Sequence, residues 1–110
     1  MTPRLTSEFW VRAYLARLRL ADIPAYVTAK GDAQAGAVLV KLATLDGRAT
    51  AIQRAFDLAA NERVWVELAE GEEAAVDAAI ARQRGFDRDL WVIEVEDRAG
   101  RTLLSEDGLR

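Results

Sequence analysis

The chain has no cysteine and no histidine. Without cysteine there is no disulfide framework, no thiolate zinc site and no thiol nucleophile. Without histidine the most usual general base and the commonest metal ligand are gone. Any catalysis would have to rest on carboxylates, Lys, Arg, Tyr or a hydroxyl, so the residue types argue against an enzyme. No segment approaches the ~18 consecutive apolar residues of a membrane span. Glu8, Arg12, Arg17 and Arg19 interrupt the only stretch that could form a signal-peptide core. A cytoplasmic protein with no membrane partner is the simple expectation.

What is present is enough for one core. The 110 residues are 51% apolar and 30% charged, the composition of a globular protein, and the length suits a single domain over 1–110. The net charge of −3 is unevenly spread. Residues 1–60 carry eight Lys/Arg against five Asp/Glu, and residues 61–110 carry seven against thirteen. No run of like charge is dense enough for a nucleic-acid tail, so the two halves are expected to face each other, within one molecule or across a dimer.

Periodicity divides the chain. Thr6 or Ser7 can cap a helix running to about Ala21, ahead of Pro24. Its apolar arc is wide: Phe9, Trp10, Val11, Ala13, Tyr14, Leu18 and Leu20, with Arg17 inside it. Ala25–Ala29 reads as a short strand, and residues 30–36 as a loop between two glycines. Residues 37–45 form a strand that is oily on both faces, which belongs in the middle of a sheet. Val38, Val40 and Leu42 point one way; Leu39, Lys41 and Ala43 point the other. Asp46-Gly47 suits a type I′ hairpin turn into a second strand ending at Phe56. There Ala49 and Ala51 would let a helix approach closely. In residues 63–69, Val64, Val66 and Leu68 alternate with Arg63, Trp65 and Glu67, which are expected outward or under a cover. Gly71–Arg84 reads as a second helix stopped by Gly85, its buried stripe continuing to Phe86. Residues 90–97 read as a strand, residues 102–104 as a possible short last one, and the final residues as frayed. The fold class is therefore α+β: a mostly antiparallel sheet of five or six strands with two helices, in the order α-β-β-β-β-α-β(-β).

Motifs for chemistry are weak. Gly31–Gly36 has the glycine spacing of a phosphate-binding loop. However, Ala37 and Val38 stand where Lys and Ser/Thr are needed, and the segment leads into a strand. It is read as a connection whose glycines adopt turn geometry. Asp87 and Asp89, ahead of Glu94, Glu96 and Asp97, are the best candidates for a hard cation. Asp is equally at home in a helix-to-strand turn, so no metal and no cofactor is expected. Trp10 has Arg12 and Arg17 near it, the pairing that stacked nucleic-acid recognition needs. Trp65 and Trp91 lie in the acidic half, which makes a nucleic-acid partner unlike this chain.

The segments RLADIPAYVTAKGDAQAGAVLVKL (19–42) and FDRDLWVIEVEDR (86–98) resemble a family of small bacterial proteins known as domain of unknown function 1491. The resemblance spans nearly the whole chain. It implies a single-domain bacterial cytosolic protein and supplies no activity, cofactor or site residue.

The leading functional expectation is a non-enzymatic interaction module that self-associates or binds a protein partner. Its contact surface would draw on Trp10, Tyr14, Arg17, Lys41 and Trp65. A small-molecule or anion-binding domain, or a minor enzyme, using Lys41, Arg17 and the Asp87/Asp89 carboxylates is one alternative. A weak nucleic-acid binder through the first helix is another. Lys41, the one charge in an oily strand, needs a partner, and Glu67 across a neighbouring strand is the candidate.

Overall fold

The computed structural model describes residues 5–110. Helix α1 (Ser7–Leu20) starts where Thr6 Oγ1 accepts the Phe9 N–H, with Glu8 in its first turn and Arg17 and Arg19 in its last. These signals complement the helix dipole. Strand β1 (Ala25–Ala29) follows Pro24, then β2 (Val38–Ala43), β3 (Arg48–Asp57), β4 (Glu62–Glu72), α2 (Glu73–Phe86) and β5 (Trp91–Glu96). One five-stranded sheet has the order β1-β5-β2-β3-β4. Three of its pairings are antiparallel, and β2 with β5 is parallel. A parallel pair needs a crossover, which α2 supplies.

Every residue of β2 is buried, as a central strand covered on both sides requires. One face packs under α1: Trp10, Val11, Tyr14 and Leu18 meet Val38, Val40, Leu42, Trp91, Ile93 and Val95. The other packs under α2, where Val76 and Ile80 meet Leu39, Ala49, Ala51 and Val92. The two alanines of β3 thus admit the helix at close range.

Several local expectations are corrected by tertiary packing. The β2–β3 turn is wider than a two-residue I′ turn. Positive φ falls on Leu45 and Gly47, and the Asp46 carboxylate accepts from Thr44 Oγ1 and the Arg48 N–H. Strand β4 extends to Glu72, so α2 begins two residues late. Its first N–H bonds to the Gly47 carbonyl of the β2–β3 turn rather than to a side-chain cap. Gly85 lies inside the helix, and Phe86 at its end is exposed. Gly31 and Gly36 have ordinary φ; they are needed because a Cβ on either would collide with the Asp89 carbonyl. That close approach lets Asp32 take the Asp89 carbonyl through its N–H and the Trp91 indole through its carbonyl.

No strand forms at residues 102–104. That segment and the last residues instead cross the α1 face, burying Leu104 and leaving Leu109 only 1% exposed. The tail is therefore packed and not frayed. Tyr14 anchors it by donating to the Thr102 carbonyl at 2.8 Å, and burial pushes the Tyr14 phenol far above its ordinary pKa. Strand β4 carries a bulge at Leu68, since Ala51 pairs with Ala69 and Ile52 with Glu67. Beyond it Trp65 turns to the α1 core, while Val66 and Leu68 stay partly exposed.

Candidate functional site

Two cations dominate the interior, one on each face of the sheet. Lys41 lies mid-way along β2, beside Ala51 on β3 and Glu94 on β5. It is 6% exposed. Its Nζ is 2.8 Å from Asp77, 3.3 Å from Glu94 and 3.4 Å from Glu73. Glu73 and Asp77 are four residues apart on α2 and so share a face. Burial alone would pull the ammonium pKa down. The Asp77 hydrogen bond and the Glu94 charge outweigh it, and the group is held above its ordinary value. A lysine held protonated among two carboxylates of α2 and one of β5 acts as a fastener for that helix. Glu67 is not its partner. The bulge places Glu67 opposite Ile52, on the other face of the sheet, where the neighbouring Glu70 carboxyl raises its pKa through a hydrogen bond and like charge.

The second cation is Arg54. On β3 it stands beside Trp65 of β4, its guanidinium 4.7 Å from the Trp65 ring centre and 5.1 Å from that of Trp10. The two indoles are 5.5 Å apart and tilted by 36°. Arg54 Nη2 donates to the backbone oxygens of Leu109 (2.9 Å) and Arg110 (3.2 Å), and Trp65 Nε1 also donates to the Leu109 oxygen. The Arg54 Nε and the Trp10 Nε1 are buried without an acceptor among the described residues. Burial, then the nearby Arg63 charge, lowers the Arg54 pKa. No side-chain carboxylate pairs with Arg54 or Arg63 among the described residues.

A cleft of about 790 Å³ opens beside this stack. Arg54, Arg63 and Arg110 line one part; Leu5, Val38, Ala55 and Phe56 line another. No Asp or Glu lines it among the described residues, although the chain as a whole is acidic. The N-terminal N–H groups of α1 are not free for a ligand there. Ser7 and Glu8 donate to the Gln34 and Ala33 carbonyls, and Phe9 to its cap. What the arrangement can do chemically is attract and orient an anion against aromatic surface.

The residues singled out from sequence do not gather into one site. Trp10 and Tyr14 are core residues, and Lys41 lies under the opposite helix. Trp65 is half-buried against Trp10. Arg17 is not stacked on Trp10; it reaches the tail, donating to the Asp107 carbonyl at 2.8 Å with Glu106 at 3.5 Å. Arg54 takes the stacking role instead. Asp87 and Asp89 sit in the exposed α2–β5 turn, where Asp87 accepts the Asp89 N–H. Among the described residues no group of three or more acidic side chains is placed to hold a metal ion. Arg54 shares a strand face with Ile52 and Phe56. Its importance depends on a cross-strand tryptophan that only the β3–β4 register reveals.

Among solved structures, a crystal structure of a DUF1491 family protein from Caulobacter crescentus CB15 is similar to this chain. It shares 39% identity and a TM-score of 0.85, over 94% of this chain and 97% of that one. An NMR structure of a DUF1491 family protein from the same organism gives 38% and 0.82, over 96% of each. The solution structure of protein Atu0922 from A. tumefaciens gives 35% and 0.71, over 86% of each. No curated protein matches. The family model described as protein of unknown function (DUF1491) matches residues 5–105, and the chain belongs to that family.

Proposed function

We propose that the chain is a non-enzymatic binding module whose ligand carries negative charge, seated in the cleft beside Arg54, Arg63 and the Trp10–Trp65 pair. The observation that carries this reading is the contrast between the two interior cations. Lys41 has three carboxylates around it, whereas Arg54 and Arg63 share a cleft in which no described residue is acidic and form no side-chain ion pair among the described residues. Arginine suits such a role because its planar fork both stacks on indole and grips oxyanions. The tryptophans are too enclosed to act as a stacking platform for bases, and in the first helix Arg12 and Arg17 already engage Glu8 and the tail. Both points weigh against nucleic acid. The test is a titration with a simple oxyanion such as inorganic phosphate or acetate, followed by tryptophan fluorescence. Saturable quenching that weakens with added salt and is lost in Arg63→Gln supports the reading; a flat titration sinks it.

A second reading, self-association or a protein partner, is supported by the open edge of β4, eleven residues long. Partly exposed Val66 and Leu68 lie on that strand. An uncovered edge is a template for pairing with another strand. Sedimentation of the purified chain over a wide concentration range separates the two readings, because only this one expects a dimer disrupted by Val66→Lys.

A further inference from the structure

The cleft is not uniformly polar, and its division points to a ligand class. Arg54 lies on β3 between Gln53 and Ala55, and Phe56 follows two residues later on the same face. Phe56 pairs with Arg63 across β4. Phe56 is 54% exposed and Leu5 58% exposed, yet both line the cleft together with Val38, Ala35 and Ala37. An apolar shelf therefore adjoins the arginines directly. A second cavity of about 780 Å³ shares Arg63 and Arg110 with the first and is lined also by Ile52, Val64, Trp65 and Leu104, with Glu62 as its one acidic residue among those described. Exposed apolar surface beside arginines that form no side-chain ion pair among the described residues is poorly matched to a small hydrated ion, which would leave the shelf wet. The same chemistry is already satisfied once within the chain. The tail buries the Leu109 side chain and presents its backbone oxygen to Arg54 and Trp65.

Resting on the anion-binding reading above, we propose that the ligand is an amphipathic oxyanion: a carboxylate or phosphate monoester head at Arg54 and Arg63, carried on an apolar body that covers Leu5 and Phe56. The volume is that of an ordinary small-molecule pocket. Each methylene fully removed from water contributes about 0.8 kcal/mol. On a half-open shelf a gain of roughly twofold per methylene is the expected scale.

Four probes decide it, each followed by tryptophan fluorescence and by calorimetry below any micelle-forming concentration: acetate, octanoate, inorganic phosphate and octyl phosphate. Octanoate is expected to bind at least tenfold tighter than acetate, and octyl phosphate at least tenfold tighter than phosphate. Which of the two octyl compounds is tighter identifies the head. Phe56→Ser, at an exposed position, should cut the octanoate-to-acetate affinity ratio several-fold. Arg63→Gln, also exposed, should weaken all four. If the short anions bind as tightly as the long ones, the amphipathic inference falls and the anion site stands. Binding of octanoate that Arg63→Gln does not weaken means simple apolar adherence and overturns the inference. If none of the four binds, both readings fall. Far-ultraviolet circular dichroism of each variant, unchanged from the parent chain, confirms that the comparison is between folded proteins.

Discussion

Lys41 on one face of the sheet and Arg54 on the other are treated oppositely. Lys41 is almost completely removed from water and has more negative charge around it than it can neutralise. Arg54 keeps a partial opening to solvent and has indole faces and backbone oxygens but no side-chain carboxylate. Burial of a charge costs several kcal/mol unless it is paired and hydrogen-bonded. Lys41 meets that condition through α2 and β5, so its site is closed in the chemical sense. Arg54 meets it only in part: its Nε lacks an acceptor and a second guanidinium, Arg63, stands nearby. One face uses charge to fasten a helix. The other holds charge in reserve.

The largest break in this comparison is expected at Lys41. Lys41→Ala removes the cation and the packed stem together, leaving Glu73, Asp77 and Glu94 facing one another. Loss of one member of a fully buried pair costs about 3–5 kcal/mol. These carboxylates can rehydrate toward solvent, so about 2–3 kcal/mol is expected from urea unfolding. Lys41→Met keeps the stem and should cost about half as much, because an apolar isostere recovers part of the packing. A loss below about 0.5 kcal/mol in both variants would show that α2 does not depend on the ion cluster.

Alkaline titration sharpens the same point. The folded pKa of Lys41 lies above the ordinary lysine value of 10.5. A cation whose pKa is raised by folding contributes stability that is fully present below the unfolded value and disappears as pH rises through the folded one. The stability gap between the parent chain and Lys41→Met should therefore be flat from neutral pH to about 10 and shrink above that. A gap that grew with pH would reverse the assignment.

These two cations also mark how far the sequence could be read. Lys41 stood out because it interrupts an alternating oily strand, and the two faces of β2 follow directly from that alternation. Its partners did not. Glu73 and Asp77 come from a helix whose docking angle no local pattern encodes, and Glu94 from a parallel strand separated by more than fifty residues. Trp65 reads as outward or under a cover because Arg63 and Glu67 flank it, and α1 and the tail supply that cover. The last residues read as polar and frayed because Leu103, Leu104 and Leu109, set among polar and acidic residues, leave no periodic signal of the burial they carry. Element types were local and legible. Register, the bulge and the packing of the tail were not.

A smaller effect is expected at the nearest partner of Lys41. Asp77→Asn keeps the shape and one acceptor but removes the closest charge. About 1 kcal/mol is expected from urea unfolding, discounted because the Asp77 side chain is half exposed. Glu73→Gln, at a longer distance, should cost less than Asp77→Asn. If the order were reversed, the cluster would be held mainly by helix position and not by contact distance.

The smallest change in stability is expected at Arg54, and that is what separates a reserve from a fastener. Arg54→Met removes two cation–π contacts, which contribute roughly 0.5–1 kcal/mol each at partly exposed sites, and the donor to Leu109. It also removes a desolvated charge and its repulsion with Arg63, which opposes folding. The two contributions nearly cancel, so a net loss under about 1 kcal/mol is expected. Trp65 Nε1 still holds the Leu109 oxygen, and the thioether of methionine packs well against indole. Tryptophan emission should nevertheless change, because the cation over both rings is gone. A loss as large as that of Lys41→Ala would mean that Arg54 is as structural as Lys41. The two faces of the sheet would then be alike, and the cleft would have no spare charge to offer a ligand.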